Sequence, residues 1–224
     1  ITDTDLTYAN YGITQTGTPG NVYAGNAGGT DRMDSRDLSV ALSGEIWFSA
    51  LVRVNTGNLF AGLAFDAGVV TGADKHEHQN SELRVLLTPT SLLVDVDGGG
   101  APVATGTETG TFAAGTTHLI LGRMTVGVGS DTLSVWVDPN VNASGGPGGL
   151  GTANFTSTAD FMDSVARIGV PISWGSSNSP HIDAIRMSND ASAFTDVTGV
   201  AVPEPSTTAL LGLGGLALIL RRRK

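Results

Sequence analysis

The sequence predicts an all-β protein: an antiparallel β-sandwich followed by a short hydrophobic helix at the C-terminus. Several segments alternate apolar and polar residues with a period of two, and turn residues join them at short intervals. The 224 residues include 31 glycines and no cysteine, and helical periodicity is hard to find before residue 206. Eight or more strands with almost no helix form a sandwich or a barrel.

The first 44 residues are rich in Thr, Asp, Gly and Asn, and we expect them to be irregular with one or two short strands. Clear alternation begins at residues 46–54, where the even-numbered side chains are all apolar. Ser49 and Arg53 fall on the other face, so this pattern predicts a half-buried strand. After a turn at residues 55–58, a second strand is predicted to return.

The other predicted strands show the same alternation and end at turn residues. Together with the returning strand they cover residues 59–65, 82–88, 91–97, 118–128, 131–138, 165–172 and 181–187. Residues 140–154 form a Gly-rich loop. Trp47 and Trp136 lie within alternating strands, so we expect both to be buried between the sheets.

The charge of the chain excludes one class of partner. The formal net charge is −9, but residues 206–224 contain four basic residues and no acidic one, which leaves 8 basic and 21 acidic residues in the remainder. A domain of net charge −13 repels a phosphate backbone, so binding to nucleic acid is not expected.

The C-terminal segment has three parts in a fixed order. Pro203, Glu204 and Pro205, here called the sorting triplet, are expected to hold an extended spacer because proline fixes φ and donates no backbone hydrogen bond. An uncharged apolar segment from Ala209 to Leu220 then favours a helix. A basic cluster follows, which the positive-inside bias places on the cytoplasmic side of a membrane. The cluster consists of Arg221, Arg222, Arg223 and Lys224.

The apolar segment is short for a membrane span. The 14 residues 207–220 would extend about 21 Å as a helix, against about 30 Å of hydrocarbon in a bilayer. Such a span requires a thinned bilayer or arginines that reach back to the interface. The alternative is a buried or interfacial helix.

This order of parts resembles the PEP-CTERM sorting signal of Gram-negative bacteria, a tail that a membrane-embedded exosortase handles. The resemblance implies that the sorting triplet is recognised by the exosortase. It also implies that the helix and its basic stop hold the protein in the inner membrane until processing, after which the body is at the cell surface or outside the cell. The predicted division is a body at 1–198, a linker at 199–206 and a tail at 207–224.

Three short sequence segments within residues 45–190 resemble those of laminin G-like, concanavalin-like jelly rolls. They are residues 135–139, 167–169 and 182–187. Such jelly rolls include glycan hydrolases as well as binding modules. The hydrolases carry Glu-x-Asp-x-x-Glu on one strand, so that alternation projects the carboxylates onto one face. No glutamate of this chain has an aspartate two residues later, so no catalytic residue is predicted.

Three other places are candidate binding sites. Asp95 and Asp97 present two carboxylates on one strand face, which calcium could use; the alternative is an exposed strand end. The spacing of His76 and His78 suits a transition metal, with a solvated loop as the alternative. Trp174, expected in a loop, is the candidate for stacking on a sugar ring, although a loop tryptophan can also fold inward.

The leading hypothesis is a non-enzymatic, exported structural protein of the cell surface or extracellular matrix, sorted by its tail. Self-assembly into filaments through residues 206–220 is part of this hypothesis. The alternative is a polysaccharide-binding module of the exopolysaccharide layer, and a hydrolase is the least favoured class. The expected partners are an exosortase, further copies of the chain and, in the alternative, a polysaccharide.

Overall fold

A computed structural model of the chain describes residues 32–68, 81–97, 102–109, 112–142, 145–174 and 180–200. These residues form antiparallel strands in two sheets, followed by one short helix, α1, at Ala193–Thr198. The strands are β1 Arg32–Leu42, β2 Gly44–Arg53, β3 Asn58–Asp66, β4 Leu83–Leu87, β5 Ser91–Asp97, β6 Pro102–Thr109, β7 Thr117–Val126, β8 Asp131–Val137, β9 Phe155–Ala159, β10 Val165–Trp174 and β11 His181–Ser188.

The predicted antiparallel β-sandwich is confirmed. A six-stranded sheet has the order β1-β10-β3-β4-β5-β6, and a five-stranded sheet has the order β11-β2-β7-β8-β9. The hairpins β4–β5 and β7–β8 occur where alternation and turn residues predict them. Strands β6 and β9 were missed because both are edge strands made largely of small polar residues, whose sequences lack an apolar period.

Two expectations about the N-terminal half are wrong. Strand β1 has 11 residues and is longer than the one or two short strands expected within residues 1–44, of which residues 1–31 lie outside the described part. Strand β3 does not return beside β2: β2 pairs with β7 and β11, whereas β3 pairs with β4 and β10 in the opposite sheet. The turn at residues 55–58 therefore crosses from one sheet to the other instead of closing a hairpin.

The inter-sheet core contains the apolar side chains that alternation assigns to one face of each strand. Phe48 of β2 packs against Phe65 of β3 across the two sheets, with ring centroids 4.7 Å apart. The Phe48 ring lies over Gly122, where an added Cβ would come within 1.9 Å of it. Glycine at this position of β7 therefore makes room for an aromatic ring of the neighbouring strand.

A second core covers the outer face of the five-stranded sheet. Helix α1 packs there over Trp47 and Trp136, whose rings stack with centroids 6.1 Å apart and an interplanar angle of 13°. Phe194 of α1 contacts Trp47 edge-on at 5.2 Å. The two tryptophans are thus buried, but beneath α1 rather than between the sheets as expected.

Strand β2 is buried on both faces, which corrects the expected half-buried strand. All seven residues from Ile46 to Val52 are buried. Ser49, expected on a solvated face, donates a hydrogen bond of 2.7 Å to the carbonyl oxygen of Val197 at the end of α1. The reason is that α1 supplies a cover that period-two alternation within one strand cannot reveal.

The predicted tail helix at 207–224, the sorting triplet and the pair His76 and His78 lie outside the described residues. Helix α1 is a separate element that precedes the sorting triplet and the tail. Within the ranges given above, no helix is long and apolar enough to cross a membrane.

Candidate functional site

Charged side chains form rows on the outer face of the six-stranded sheet. Because Leu63 and Phe65 point into the inter-sheet core, Asp66 points to the opposite face. The strand register places Arg167 of β10 directly between Asp37 of β1 and Asp66 of β3. Arg167 donates from Nε to Asp37 Oδ1 at 2.7 Å, and its side chain is almost completely buried.

Asp66 is the most deeply buried carboxylate of these rows. Burial raises its pKa above the ordinary value, while the Ser81 hydroxyl, the Glu82 amide and the positive charge of Arg167 oppose that rise. The Glu82 amide donates to Asp66 Oδ1 at 3.3 Å. In return, the Glu82 carboxylate accepts a 2.8 Å hydrogen bond from the Ala67 amide, so both acidic groups fasten the ends of the β3–β4 connection.

The predicted calcium ligands lie at the end of β5. Asp95 stands opposite Arg84 of β4 and forms an ion pair with its guanidinium, while Asp95 Oδ1 is buried and has no hydrogen-bond partner in the described structure. Asp97 is the last residue of β5, and its side chain is not among those described. The described residues contain no group of three or more metal-ligating side chains. Calcium binding by Asp95 and Asp97 stays a prediction.

Trp174 lies at the end of β10, not in the following loop as expected. Its backbone is opposite Asn58 of β3, after an irregularity in register between Ser173 and Trp174. The Trp174 side chain is outside the described part, so its sugar-stacking role stays a prediction.

His118 and Asp138 form a hydrogen-bonded pair at the rim of the five-stranded sheet. His118 Nδ1 lies 2.6 Å from Asp138 Oδ2, and Asp138 Oδ1 accepts a 2.9 Å hydrogen bond from the Leu119 amide. The hydrogen bond to Asp138 raises the pKa of His118, although burial acts in the opposite direction. Asp138 has a positive φ of 54°, so this pair stabilises a sparsely populated backbone conformation.

This pair predicts a pH dependence of stability. Because the folded pKa of His118 is raised, its contribution is fully present below about pH 6.5, the unfolded value, and is lost as the pH rises through the folded pKa. His118→Asn removes the titrating group but keeps a donor. Urea unfolding should show that the free energy of unfolding of the natural chain falls from about pH 6 to about pH 9. The variant should not show this fall. Equal falls in both proteins would contradict this role.

A groove opens between the two sheets where edge strands β1 and β11 face each other. We call it the edge groove; its volume is about 540 Å³. Leu38, Leu42, Ile168 and Met187, partly buried against the inter-sheet core, give it an apolar lining. Its polar side chains are Arg36, Asp37, Ser39 and Arg186, and Val40 and Ile185 complete it.

Sequence reasoning missed the edge groove because its two walls are far apart in the chain. Nothing local to Arg36 or Arg186 indicates that β1 and β11 end up at the same side of the sandwich. An arginine in each of two edge strands is the available signal, and it becomes informative only once the strand order is known.

The comparisons with known proteins concern the tail and the fold. Residues 201–224 match the PEP-CTERM protein-sorting motif. No characterised protein matches the chain in sequence at a significant level.

Several solved structures resemble the sandwich. A homodimeric agglutinin from chicken liver is 7% identical, with a TM-score of 0.41, and the match covers 70% of this chain and 99% of that one. A galectin from Caenorhabditis elegans is 8% identical, with a TM-score of 0.44 and coverage of 75% and 96%. An alginate lyase from Pseudomonas aeruginosa is 12% identical, with a TM-score of 0.38 and coverage of 66% and 65%. These likenesses concern the fold alone, and the laminin G-like assignment stays a prediction.

Proposed function

We propose that this chain is a non-enzymatic structural protein of the cell surface or extracellular matrix, exported and then sorted by its C-terminal tail. The observation that carries the proposal is the match of residues 201–224 to a sorting motif, which indicates export and a membrane-anchored sorting signal. The motif begins directly after Val200, the last described residue of the folded body. An exosortase is the partner that this motif implies.

The attachment of the chain end to the sandwich supports this proposal. Gly199 adopts a left-handed conformation with φ of 70°, and its amide donates to the Thr195 carbonyl oxygen at 2.7 Å, which ends α1. Val200 packs against the second core. The body is therefore held firmly up to the residue before the sorting motif, an arrangement suited to a module displayed by its tail.

The hydrogen-bonded carboxylates of the sandwich support a structural rather than a catalytic role. Buried Asp131 accepts backbone hydrogen bonds from Phe161 at 2.8 Å and Met162 at 3.0 Å. Glu45 binds the guanidinium of Arg123 and accepts a 3.0 Å hydrogen bond from the Trp47 indole. These carboxylates join strands and loops, and they are not grouped in one concave site. Filament formation through residues 206–220 is part of the proposal.

The second candidate function is recognition of a polysaccharide. Two observations favour it: Trp174 ends β10 at the rim of the six-stranded sheet, and the edge groove is large enough for part of a sugar chain. Under this candidate the exported body binds the exopolysaccharide layer instead of building it.

Retention on immobilised polysaccharides separates the two candidates. The binding candidate predicts specific retention that Trp174→Ala weakens by about tenfold, since one stacked ring contributes about 1 to 3 kcal/mol. Val128→Ala is the matched control because Val128 is fully exposed and its loss removes apolar surface elsewhere. The structural candidate predicts no specific retention and filaments in negative-stain electron micrographs. Release of reducing sugars by the purified chain would contradict both.

A further inference from the structure

The edge groove carries an uncompensated positive charge on an acidic protein. Among the arginines whose side chains are described, Arg84, Arg123 and Arg167 form ion pairs with carboxylates. The other three, Arg36, Arg53 and Arg186, make no ion pair with the described residues. Of these, Arg36 and Arg186 line the edge groove.

The nearby carboxylates bind other groups, so the guanidiniums of Arg36 and Arg186 are available to a ligand. Asp37 is held by Arg167 Nε at 2.7 Å. Arg186 donates one hydrogen bond, a long one of 3.4 Å from Nη1 to the Asp196 carbonyl oxygen. The Asp196 carboxylate accepts hydrogen bonds from Ser188 at 3.0 Å and from the Ser192 hydroxyl at 3.2 Å. The Arg36 side chain is exposed and makes no hydrogen bond or ion pair with the described residues.

This chemistry fits carboxylate groups. A guanidinium presents a planar fork of N–H donors that matches a carboxylate in two parallel hydrogen bonds. In the same groove, the lining of Leu38, Ile168 and Met187 offers apolar contact to the C–H faces of a sugar ring. The volume of about 540 Å³ lies within the range of about 300 to 1,000 Å³ typical of ligand sites.

The flanking strands argue against an added peptide strand in the groove. Pairing of β1 with β10 is irregular between Asp37 and Leu42, and pairing of β11 with β2 is irregular between Asp183 and Arg186. Ala184 has a positive φ of 49° there. Strand addition needs a regular row of backbone donors and acceptors, and neither wall provides one. Side chains are therefore the recognition groups.

We propose that the edge groove binds a carboxylated polysaccharide, a polymer of uronic acid residues, with Arg36 and Arg186 each binding a sugar carboxylate. The proposal deepens the polysaccharide-binding candidate function and rests on it. The net acidity of the body repels a polyanion at long range, so binding depends on these two local charges rather than on general attraction.

The test uses the full chain in mild detergent, immobilised through its N-terminus, with polygalacturonate as the probe and dextran as the neutral comparison. Arg36→Ala combined with Arg186→Ala should weaken retention of polygalacturonate at least about tenfold, because the double variant removes both guanidiniums that form charge-assisted hydrogen bonds with the sugar carboxylates. Arg53→Ala is the matched control: Arg53 also lacks an ion pair but lies outside the groove. It should leave retention unchanged.

Arg36→Ala alone keeps the test decisive if Arg186→Ala disturbs α1, since the Arg36 side chain makes no hydrogen bond or ion pair with the described residues. Equal losses in the Arg36 and Arg53 variants, equal retention of dextran, or full displacement by poly-glutamate at matched carboxylate concentration would overturn the proposal. Poly-glutamate displacement would assign the groove to acidic peptides instead. Retention of another polysaccharide through Trp174, unaffected by the arginine variants, would leave the candidate function standing while this inference fails.

Discussion

Gly62→Ala is expected to destabilise the sandwich severely. A Cβ at position 62 of β3 would lie 2.0 Å from the Val85 carbonyl oxygen and 2.8 Å from the Leu86 Cα, both backbone atoms of β4. A side chain could rotate away from such a clash, but a paired strand cannot move without breaking its ladder to β3 or β5. We expect a loss of more than about 4 kcal/mol in the free energy of unfolding, a large part of the about 5 to 15 kcal/mol that stabilises a typical domain.

The matched control is Gly68→Ala, two residues after the end of β3. A Cβ there meets no atom within 4 Å, and Gly68 is not among the glycines with positive φ. We expect a change within about 0.5 kcal/mol for this variant. Circular dichroism and urea unfolding compare the two proteins. A Gly62→Ala variant with the unfolding midpoint of the natural chain would contradict the close β3–β4 packing.

Replacing the sorting triplet by three alanines is expected to abolish sorting while leaving the sandwich intact. The prolines withhold backbone donors and separate the tail from the body, whereas alanine is the best helix former. The variant should therefore lose both the recognised residues and the stiff spacer. We expect an unprocessed chain that accumulates in the inner membrane and little or no protein at the surface, as measured by cell fractionation with an antibody to the body.

Val202→Ala with Ser206→Ala is the matched control for the triplet. These substitutions flank it on both sides and keep Pro203, Glu204 and Pro205. Normal surface display is expected for the control. Normal display of the triple-alanine variant would refute the role of the triplet, and loss of display in both would point to an effect of the composition of residues 202–206 as a whole.

The strands with a buried face were the part of the fold that the sequence could predict. Alternation locates β2 and the hairpins β4–β5 and β7–β8 because apolar side chains on one face must reach the core. The edge strands β6 and β9 are made largely of small polar residues, so their sequences carry no such pattern. The assignment of β2 and β3 to different sheets depends on long-range pairing, which a turn at residues 55–58 does not determine.

The candidate site was predictable only in its local parts. The sorting triplet is contiguous in the chain, so its order of residues could be recognised directly. The edge groove and the row of Asp37, Arg167 and Asp66 are assembled from distant strands, and the cover of Trp47 by Phe194 joins residues at opposite ends of the body. Sequence alternation indicates which face of a strand is apolar, but it does not identify the partner that covers it.

The most direct measurement is the mass of the chain recovered from outside the cell. If the tail directs export and is then removed, intact-mass spectrometry should find a C-terminus near Pro203 on a body that still contains α1. Extracellular chains that all end at Lys224, or chains found only in the cytoplasm, would contradict this account.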